Sequence, residues 1–379
     1  MSVTSESDAR PHAPTASGRE ATASRPGGAR RRSRLNGSDS VIAWVFVGPM
    51  IVIALLFLVI PIFMALWVSV SDWGGKGSPL SPSVGFVGLE NYEAFLTPGL
   101  AQRDLVTSIR NTFYFVLFVV PLQTILALGL ALILNSRRLK AKSFFRTAYY
   151  FPSVTSSVAI AVVFLFLFSA SGPVNALLGA VGIDGPNWFA DPRGIFHIAA
   201  GAFGVTEVPD WAAGNVGGIT LWQWLAGPSV AMCSIIILVV WVSAGGYMLI
   251  FLSSLQGIDE EINEAAIMDG ASTWQRVRHI TIPMLKPTTA LVITLGLIGT
   301  WQVFDQVYIM SQGNPGKTTL TPAYLSYTTS FGSFEWGQGA AISFMLFALI
   351  VVLTIIQRTI TRDRDDVPRA ARRAARGRR

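Results

Sequence analysis

The residues best suited to chemistry in this chain lie near the end of an apolar segment that reads GLIGTWQVFDQVYIMSQG. On one continuous helix, Trp301, Asp305 and Tyr308 occupy positions i, i+4 and i+7 and share a face, and Gln302 and Gln306 form an adjoining stripe. An ionisable side chain inside a membrane helix is costly and usually faces a cavity or a partner. An aromatic ring beside amide and carboxylate groups suits a sugar, which offers apolar C–H surfaces and a rim of hydroxyls. These residues are the candidate substrate path.

A second interpretation of the same residues stays open. Trp301 and Tyr308 fit equally well in the aromatic belt at a membrane surface, with Asp305 capping a contact between helices. Other polar residues inside apolar segments, namely Asn111, Gln123 and Tyr247, are more often bonded between helices than exposed to a path.

The rest of the sequence offers no catalytic set. Gly316, Lys317 and Thr318 imitate the end of a phosphate-binding loop, but Ser311 stands where the first glycine of that motif is required. The three histidines are too scattered for a metal site, and no Ser-His-Asp set or paired carboxylates emerge. We therefore expect a non-catalytic protein without cofactor or metal.

Composition places these residues in a membrane protein. Of 379 residues, 51% are hydrophobic and only 13% are charged, whereas soluble chains carry about 25% charged residues. Crossing the hydrocarbon takes about 20 apolar residues. Six segments qualify, which predicts an all-α protein with six transmembrane helices: residues 41–70, 112–134, 151–168, 230–255, 290–310 and 340–360.

The distribution of charge predicts the orientation. Basic residues follow the second and sixth segments, and acidic residues occupy the loops of the other side. Because cytoplasmic loops carry the excess of Lys and Arg, we expect both termini in the cytoplasm. The net charge of +7 then reflects topology and does not indicate a nucleic-acid partner. The residues concerned are Arg137, Arg138, Lys140, Lys142, Arg146, Arg358, Arg362 and the 369–379 tail, against Asp72, Glu90, Glu93, Asp104, Asp184, Asp191, Glu207 and Asp210.

The domain plan follows from the same segments. Residues 1–40 are polar and Arg-rich, with a composition that cannot bury a core, and predict a disordered cytoplasmic tail. Residues 41–361 form the six-span domain, and 362–379 form a basic C-terminal tail. Residues 192–228 predict an external insertion whose apolar part is too short to span and suits the membrane interface.

A charged segment, residues 255–287, connects the fourth and fifth segments. Asp259 is placed as an N-cap, Gly270 as a left-handed helix end, and Ser272 with Gln275 as a capping box that starts a second helix. Pro283 and Pro287 are expected to stop this second helix. The pattern predicts a helical hairpin at a membrane surface.

The same segment carries a family resemblance. Glu264-Ala265-Ala266, Asp269-Gly270-Ala271 and Ile282-Pro283 resemble the EAA signature of membrane subunits of binding-protein-dependent ABC importers, with Ile282 where the family usually has Leu. The resemblance implies the fold of type I importer permeases. It also implies that the first hairpin helix is the coupling helix, with Glu264, Ala265, Ala266, Asp269 and Gly270 at the contact with the ATPase.

Further motifs resemble the sugar-permease branch of this family, of the maltose-transporter first-subunit type. They are residues 87–92 before the second segment, Tyr308-Ile309-Met310, and Gly313-Asn314-Pro315. Besides the lipid bilayer, the resemblance implies three kinds of protein partner: a second homologous permease subunit, two ABC ATPase subunits and an extracytoplasmic solute-binding protein.

Four alternatives remain at this point. A non-sugar cargo such as glycerol-phosphate or a polyamine is compatible with the same importer class, and a secondary transporter would need no ATPase. The hairpin could also be a packing element alone, or a DNA-binding helix-turn-helix with Arg276, Arg278 and His279 on its reading helix. Acidic residues on the first helix and close membrane spans on both sides argue against DNA.

Overall fold

The computed structural model describes residues 37–361 except Arg137, Arg138 and Thr206. The chain divides into two compact units, Met1–Leu58 and Val59–Arg379. Most of the first predicted tail and all of the second lie outside the described residues, as do two of the basic residues that follow the second segment.

The described residues are mostly helical, with two short strands. Helix α1 begins at Gly37, inside the boundary drawn for the tail, and a π-helical turn at Leu55–Val59 follows it. The helices are α1 Gly37–Ala54, α2 Ile60–Ser69, α3 Glu90–Leu96, α4 Leu100–Asn135, α5 Lys142–Val154, α6 Ser157–Leu167, α7 Pro173–Ala180, α8 Ile195–Ala202, α9 Leu221–Trp224, α10 Val230–Gln256, α11 Glu260–Met268, α12 Thr273–Arg276, α13 Ile282–Met284, α14 Lys286–Trp301, α15 Asp305–Met310, α16 Pro322–Tyr327 and α17 Trp336–Thr361.

Four stretches of helix are long and apolar enough to cross a bilayer: Ala43–Ser69, α4, α10 and α17. Two bent pairs bring the number to six if each pair is one span. Residues 37–361, apart from the three gaps, therefore contain four to six candidate spans, which confirms the all-α membrane class.

The third predicted segment is not a continuous helix. Helices α5 and α6 meet at 98°, because Thr155 and Ser156 take extended backbone conformations with ψ of 150° and 126°. The hydroxyls of Ser153 and Thr155 bond to the carbonyls of Tyr150 and Phe151 at the end of α5. Side chains thus satisfy groups that the interrupted helix leaves without partners.

The fifth predicted segment is also interrupted. Helix α14 ends at Trp301, residues 302–304 are irregular, and α15 begins at Asp305. The Thr300 hydroxyl bonds to the Gly296 carbonyl at 2.7 Å, and the Thr321 hydroxyl bonds to the Val303 carbonyl at 3.1 Å. Irregular backbone at membrane depth needs such internal partners, since lipid offers none.

The core is built around α4, the longest helix, which packs along most of its length against α10. Phe115 and Val119 of α4 meet Met232 and Ile235 of α10 in one fully buried cluster. A second cluster nearer the hairpin joins α4, α10 and α14. Helices α4 and α10 thus form the frame against which α5 and α14 pack.

The insertion at residues 192–228 is a small folded module. It contains α8, a 3-10 turn at Asp210–Ala212, a two-stranded antiparallel hairpin of β1 Asn215–Val216 and β2 Ile219–Thr220, and α9. A capping box between Thr220 and Gln223 starts α9. The module lies beside the first part of α4, because Arg110 and Tyr114 of that helix donate to its Gly227 and Trp224 carbonyls.

Candidate functional site

A cavity of about 260 Å³ lies between α4, α10, α14 and α15. Helices α4 and α10 contribute Gln123, Ser243 and Tyr247 to its wall. Helix α14 contributes Thr300, and the irregular residues 302–304 with the first turn of α15 contribute Gln302, Asp305 and Gln306. None of the described residues that line the cavity is Lys or Arg. The lining is therefore a mixture of apolar and uncharged polar groups with a single carboxylate.

The carboxylate connects the two interrupted segments. Asp305 Oδ2 accepts a hydrogen bond from the Ser157 hydroxyl at 3.2 Å, and Gln306 donates to the same hydroxyl oxygen at 3.3 Å. Ser157 is the first residue of α6, directly after the bend at Thr155 and Ser156. A movement of α6 against α15 would thus change the position of the carboxylate in the cavity.

Gln123 is the most deeply placed polar group of the cavity. Its side chain is only 1% exposed, and its Nε2 has no hydrogen-bond partner. A Cβ added at Gly296 would lie 2.4 Å from that nitrogen, so glycine is what allows α14 to approach the amide so closely. A buried amide without a partner costs free energy. A bound polar molecule would remove that cost.

The structure separates the predicted substrate residues. Gln302 and Asp305 line the cavity, but Trp301 does not: it is 3% exposed and packs among Val116, Val120 and Ile350. Tyr308 is 42% exposed and also lies outside the cavity lining. The prediction that Trp301, Asp305 and Tyr308 share one helix face is wrong, because the helix ends at Trp301 and resumes at Asp305.

Sequence reasoning missed several lining residues. Gln123 and Tyr247 were expected to bond between helices, and Ser243 and Phe304 were not singled out. Asn111 bonds to a loop and not to another helix, since its Nδ2 donates to the carbonyls of Lys317 and Leu320 before α16. The available signal was the presence of amide and hydroxyl groups in α4 and α10, which does not say which face they occupy.

The hairpin of residues 255–287 folds largely as its sequence predicts. Gly270 has φ of +78°, with Gly270 N donating to the Ile267 carbonyl and Ala271 N to the Ala266 carbonyl, which is the Schellman pattern. Both hydrogen bonds of the Ser272–Gln275 capping box are present. Asp259 occupies the N-cap position of α11, but its side chain makes no cap hydrogen bond.

The prolines act differently from the prediction. The second hairpin helix continues through a π-helical turn, Val277–Thr281, and through Pro283 to Met284. The chain then bends by 66° at Leu285, and Pro287 lies in the first turn of α14. A helix start tolerates proline because its missing N–H would have no partner there. Pro287 thus begins the next helix and does not end the previous one.

Helix α11 presents a mixed surface. Glu264, Ala265 and Asp269 are exposed, whereas Ala266 is buried against the chain itself. Next to them, Met268 and Trp274 are 87% and 67% exposed. Such an apolar pair at the tip of a polar hairpin suits a protein partner. Met268 and Trp274 were not expected at a contact.

Lys317, which belongs to the sequence that imitates a phosphate-binding loop, makes an ion pair within the chain itself. Its Nζ lies 2.7 Å from Asp104 Oδ2, and its backbone carbonyl accepts from Asn111. These contacts tie the first part of α4 to the segment before α16.

The module at residues 192–228 is held on α4. Tyr114 donates to the Trp224 carbonyl at 2.6 Å, and Arg110 donates to the Gly227 carbonyl at 3.3 Å. His197 stacks on Trp222 with ring centroids 4.2 Å apart. Desolvation lowers the pKa of His197 below its ordinary value; a hydrogen bond with the Trp222 carbonyl opposes this, and the charge of Arg110 adds to it.

Comparison with known proteins places this architecture among transport proteins. Residues 123–365 match the family described as binding-protein-dependent transport system inner membrane component. The chain is 31% identical to the lactose transport system permease protein LacF of Rhizobium radiobacter, over 88% of this chain and 98% of that protein.

Other relatives are similar over comparable lengths. The trehalose/maltose transport system permease protein MalF of Thermococcus litoralis is 28% identical, over 88% of this chain and 98% of that protein. The arabinooligosaccharides transport system permease protein AraP of Bacillus subtilis is 28% identical, over 84% and 88%. A chain of a bacterial ABC transporter for the acidic polysaccharide alginate shares the fold with a TM-score of 0.63 and 18% identity, over 86% of this chain and 96% of that one.

Proposed function

Because the chain belongs to the family of binding-protein-dependent transport system inner membrane components, we propose that it is the permease subunit of an ATP-driven importer for a neutral sugar or oligosaccharide. The observation that carries the choice of cargo is the cavity, whose described lining offers amides, hydroxyls and one carboxylate and no basic group. Sugars are bound by such groups. The sugars in the names of LacF, MalF and AraP support the same class.

Two other cargoes are disfavoured by charge. A phosphate-bearing cargo such as glycerol-phosphate would meet Asp305 without a compensating cation in the described lining. A polyamine would be attracted by Asp305, but one carboxylate is few for a multiply charged amine. A neutral sugar needs no charge partner and uses the carboxylate as a hydrogen-bond acceptor.

The hairpin of residues 255–287 is proposed to transmit force from the ATPase subunits. Glu264 and Asp269 would pair with basic groups there, and Ala265 would permit close approach. Ala266 would instead fix α11 to its own chain, because it is already buried. Gly270 sets the turn, and Met268 and Trp274 supply apolar contact area.

The assembly follows from this role. The permease would pair with a second homologous permease subunit, hold two ATPase subunits, and receive its cargo from an extracytoplasmic solute-binding protein. ATP hydrolysis would occur in the separate subunits, and this chain would carry no cofactor. Lys140, Lys142 and Arg146 support a cytoplasmic hairpin and cytoplasmic termini, since basic residues favour that side.

The proposed mechanism is a two-state change of the helical frame. Closure of the ATPases would move α11 and α12, and the bend at Leu285 would pass this movement to α14. Because α14 and the residues after it line the cavity, their displacement would open it to one side of the membrane at a time. Because Ser157 of α6 bonds to Asp305, a displacement of Asp305 would also move the start of α6.

Sugar-dependent ATPase activity tests the proposal. The complete transporter, reconstituted in vesicles with its binding protein, is expected to hydrolyse ATP faster when lactose, maltose or arabinotriose is added. Glycerol-3-phosphate and spermidine should not have this effect. Uptake of a sugar by the permease without any ATPase subunit would instead support a secondary transporter and contradict the proposal.

A further inference from the structure

A row of aromatic side chains extends from the cavity along the segments that follow it. We call Phe304, Tyr308, Tyr324, Tyr327 and Phe331 the aromatic track. Phe304 belongs to both the cavity lining and the track. Its ring centroid lies 5.5 Å from that of Tyr308 and 5.3 Å from that of Tyr327. The centroid of Tyr327 lies 5.1 Å from that of Phe331, so the rings are continuous.

Two short helices build the aromatic track from complementary spacings. Phe304 and Tyr308 are four residues apart at the start of α15, and Tyr324, Tyr327 and Phe331 follow at i, i+3 and i+7 on α16 and the π-helical turn after it. Both spacings place rings on one helix face. The two faces meet, since the centroids of Tyr308 and Tyr327 are 5.4 Å apart.

The aromatic track is not an ordinary apolar core. Tyr308 is 42% exposed and Phe331 55% exposed, and Phe304, Tyr324 and Tyr327 are half-buried. Three of the five rings carry a hydroxyl, which can donate and accept hydrogen bonds. A row of hydroxyls is poorly suited to lipid tails, which offer no hydrogen-bond partners. Open ring surfaces with hydroxyls at their rim suit a molecule that is itself apolar on its faces and polar at its edge.

We infer that the aromatic track binds successive units of a neutral oligosaccharide as it enters or leaves the cavity. This inference rests on the proposed function and adds a binding surface beyond the cavity. Each ring offers an aromatic surface to the C–H groups of one sugar unit, and the tyrosine hydroxyls exchange hydrogen bonds with its hydroxyls. Continuity through Phe304 makes the cavity the end of the same path.

Removing a ring of the aromatic track should lower the uptake rate more for a long sugar than for a short one. Phe331 is two ring contacts away from Phe304, which lines the cavity, so only a longer sugar reaches it while another unit occupies the cavity. Phe331→Ala should lower the uptake rate of a four-unit sugar roughly tenfold and that of a two-unit sugar by less than about twofold. Phe331→Leu, which keeps an apolar side chain but no ring, should show the same pattern.

The measurement is uptake by the complete transporter of radiolabelled maltose, maltotriose and maltotetraose, and of the matching arabinose series. Phe347→Ala is the matched control, because Phe347 is 61% exposed on α17 but outside the aromatic track. Tyr327→Phe keeps the ring and should retain most of the uptake, whereas Tyr327→Ala should not. Membrane abundance and co-purification of the second permease subunit are measured for each variant.

Three results would overturn the inference. Equal losses for all sugar lengths would show that the rings have no role in binding successive units. Loss of the second permease subunit from the purified complex would show that this subunit covers the rings. If the wild-type transporter takes up none of these sugars, the proposed function fails, and the aromatic track fails with it.

Discussion

At the scale of single residues, the account depends on polar groups that the folded chain leaves unsatisfied. Gln123 is buried, its amide nitrogen makes no hydrogen bond, and the residue belongs to the cavity lining. If this position served packing alone, an apolar residue or a hydrogen-bonded polar residue would be more stable there, since a buried polar group without a hydrogen bond costs free energy. We expect a hydroxyl of the bound sugar to accept a hydrogen bond from Gln123.

Gln123→Leu tests this directly. The substitution removes the donor while keeping the volume, so uptake of the transported sugar should fall about fivefold to tenfold, the worth of one hydrogen bond of about 1 kcal/mol. Protein abundance in the membrane should stay unchanged. Gln357→Leu is the control, because Gln357 already accepts a hydrogen bond from Thr294 and does not line the cavity. Equal effects of the two substitutions would contradict a role for Gln123 in binding.

Asp305→Asn separates a neutral cargo from a cationic one. Asparagine keeps the oxygen that accepts from Ser157 but removes the charge. For a neutral sugar the uptake rate should stay within about threefold of wild type, because a hydrogen bond to a neutral acceptor replaces one to a charged acceptor. If spermidine uptake is present and falls more than about tenfold in this variant, the neutral-sugar assignment is contradicted.

At the scale of elements, the hairpin is the part whose geometry is most strongly specified. Its turn requires a left-handed residue at Gly270, and its second helix begins with a complete capping box. These local devices hold α11 at a defined angle, with Met268 and Trp274 outward. A rigid hairpin can transmit movement, whereas a flexible one would absorb it.

Gly270→Val is expected to abolish uptake without preventing membrane insertion. The left-handed conformation costs a non-glycine residue about 1–2 kcal/mol, and more for a β-branched one. The hairpin would therefore distort, and ATPase activity would no longer respond to the sugar. Gly257→Ala is the control, since Gly257 has φ of −86° and ordinary space for a Cβ. Normal transport by the valine variant would refute the coupling assignment.

The module at residues 192–228 should respond to pH through His197. Because its folded-state pKa is lowered, the unfolded chain binds the proton first as pH falls. Stability is therefore lost as pH falls from the ordinary pKa of about 6.5 towards the lower folded-state value, and it is unaffected well above this range. The thermal unfolding midpoint of the purified protein between pH 8 and pH 5 measures this. His197→Phe should remove part of the dependence.

For the whole molecule, the all-α membrane class and the hairpin of residues 255–287 could be predicted from the sequence better than the residues that line the cavity. Apolar run length suffices to find spanning helices, and the caps of residues 259–275 are local, so both could be predicted. The interruption at residues 302–304 could not, because the freed Val303 carbonyl is satisfied by the hydroxyl of Thr321, which is distant in the sequence. The interruption at Thr155 was missed although its hydroxyl bonds locally, to the Phe151 carbonyl. Trp301 was wrongly placed on one helix face with Asp305 because the end of α14 at Trp301 was not predicted.

The cavity could be predicted only in part for the same reason. Gln302 and Asp305 were found because they interrupt an apolar segment, but Gln123 and Tyr247 lie in segments whose pairing depends on long-range packing. Local patterns do not encode which face of α4 meets α10. The aromatic track escaped notice because its two stripes come from helices that are separated in sequence.

The central claim is that the hairpin faces the cytoplasm, where it receives movement from an ATPase. Cys233 is the only cysteine, so Met268→Cys in a Cys233→Ser background provides a single thiol at a position that is 87% exposed. The measurement is its labelling by a membrane-impermeant maleimide in spheroplasts and in inside-out vesicles. The account predicts labelling in the vesicles only, and protection when the ATPase subunits are bound. Labelling of intact spheroplasts would contradict it.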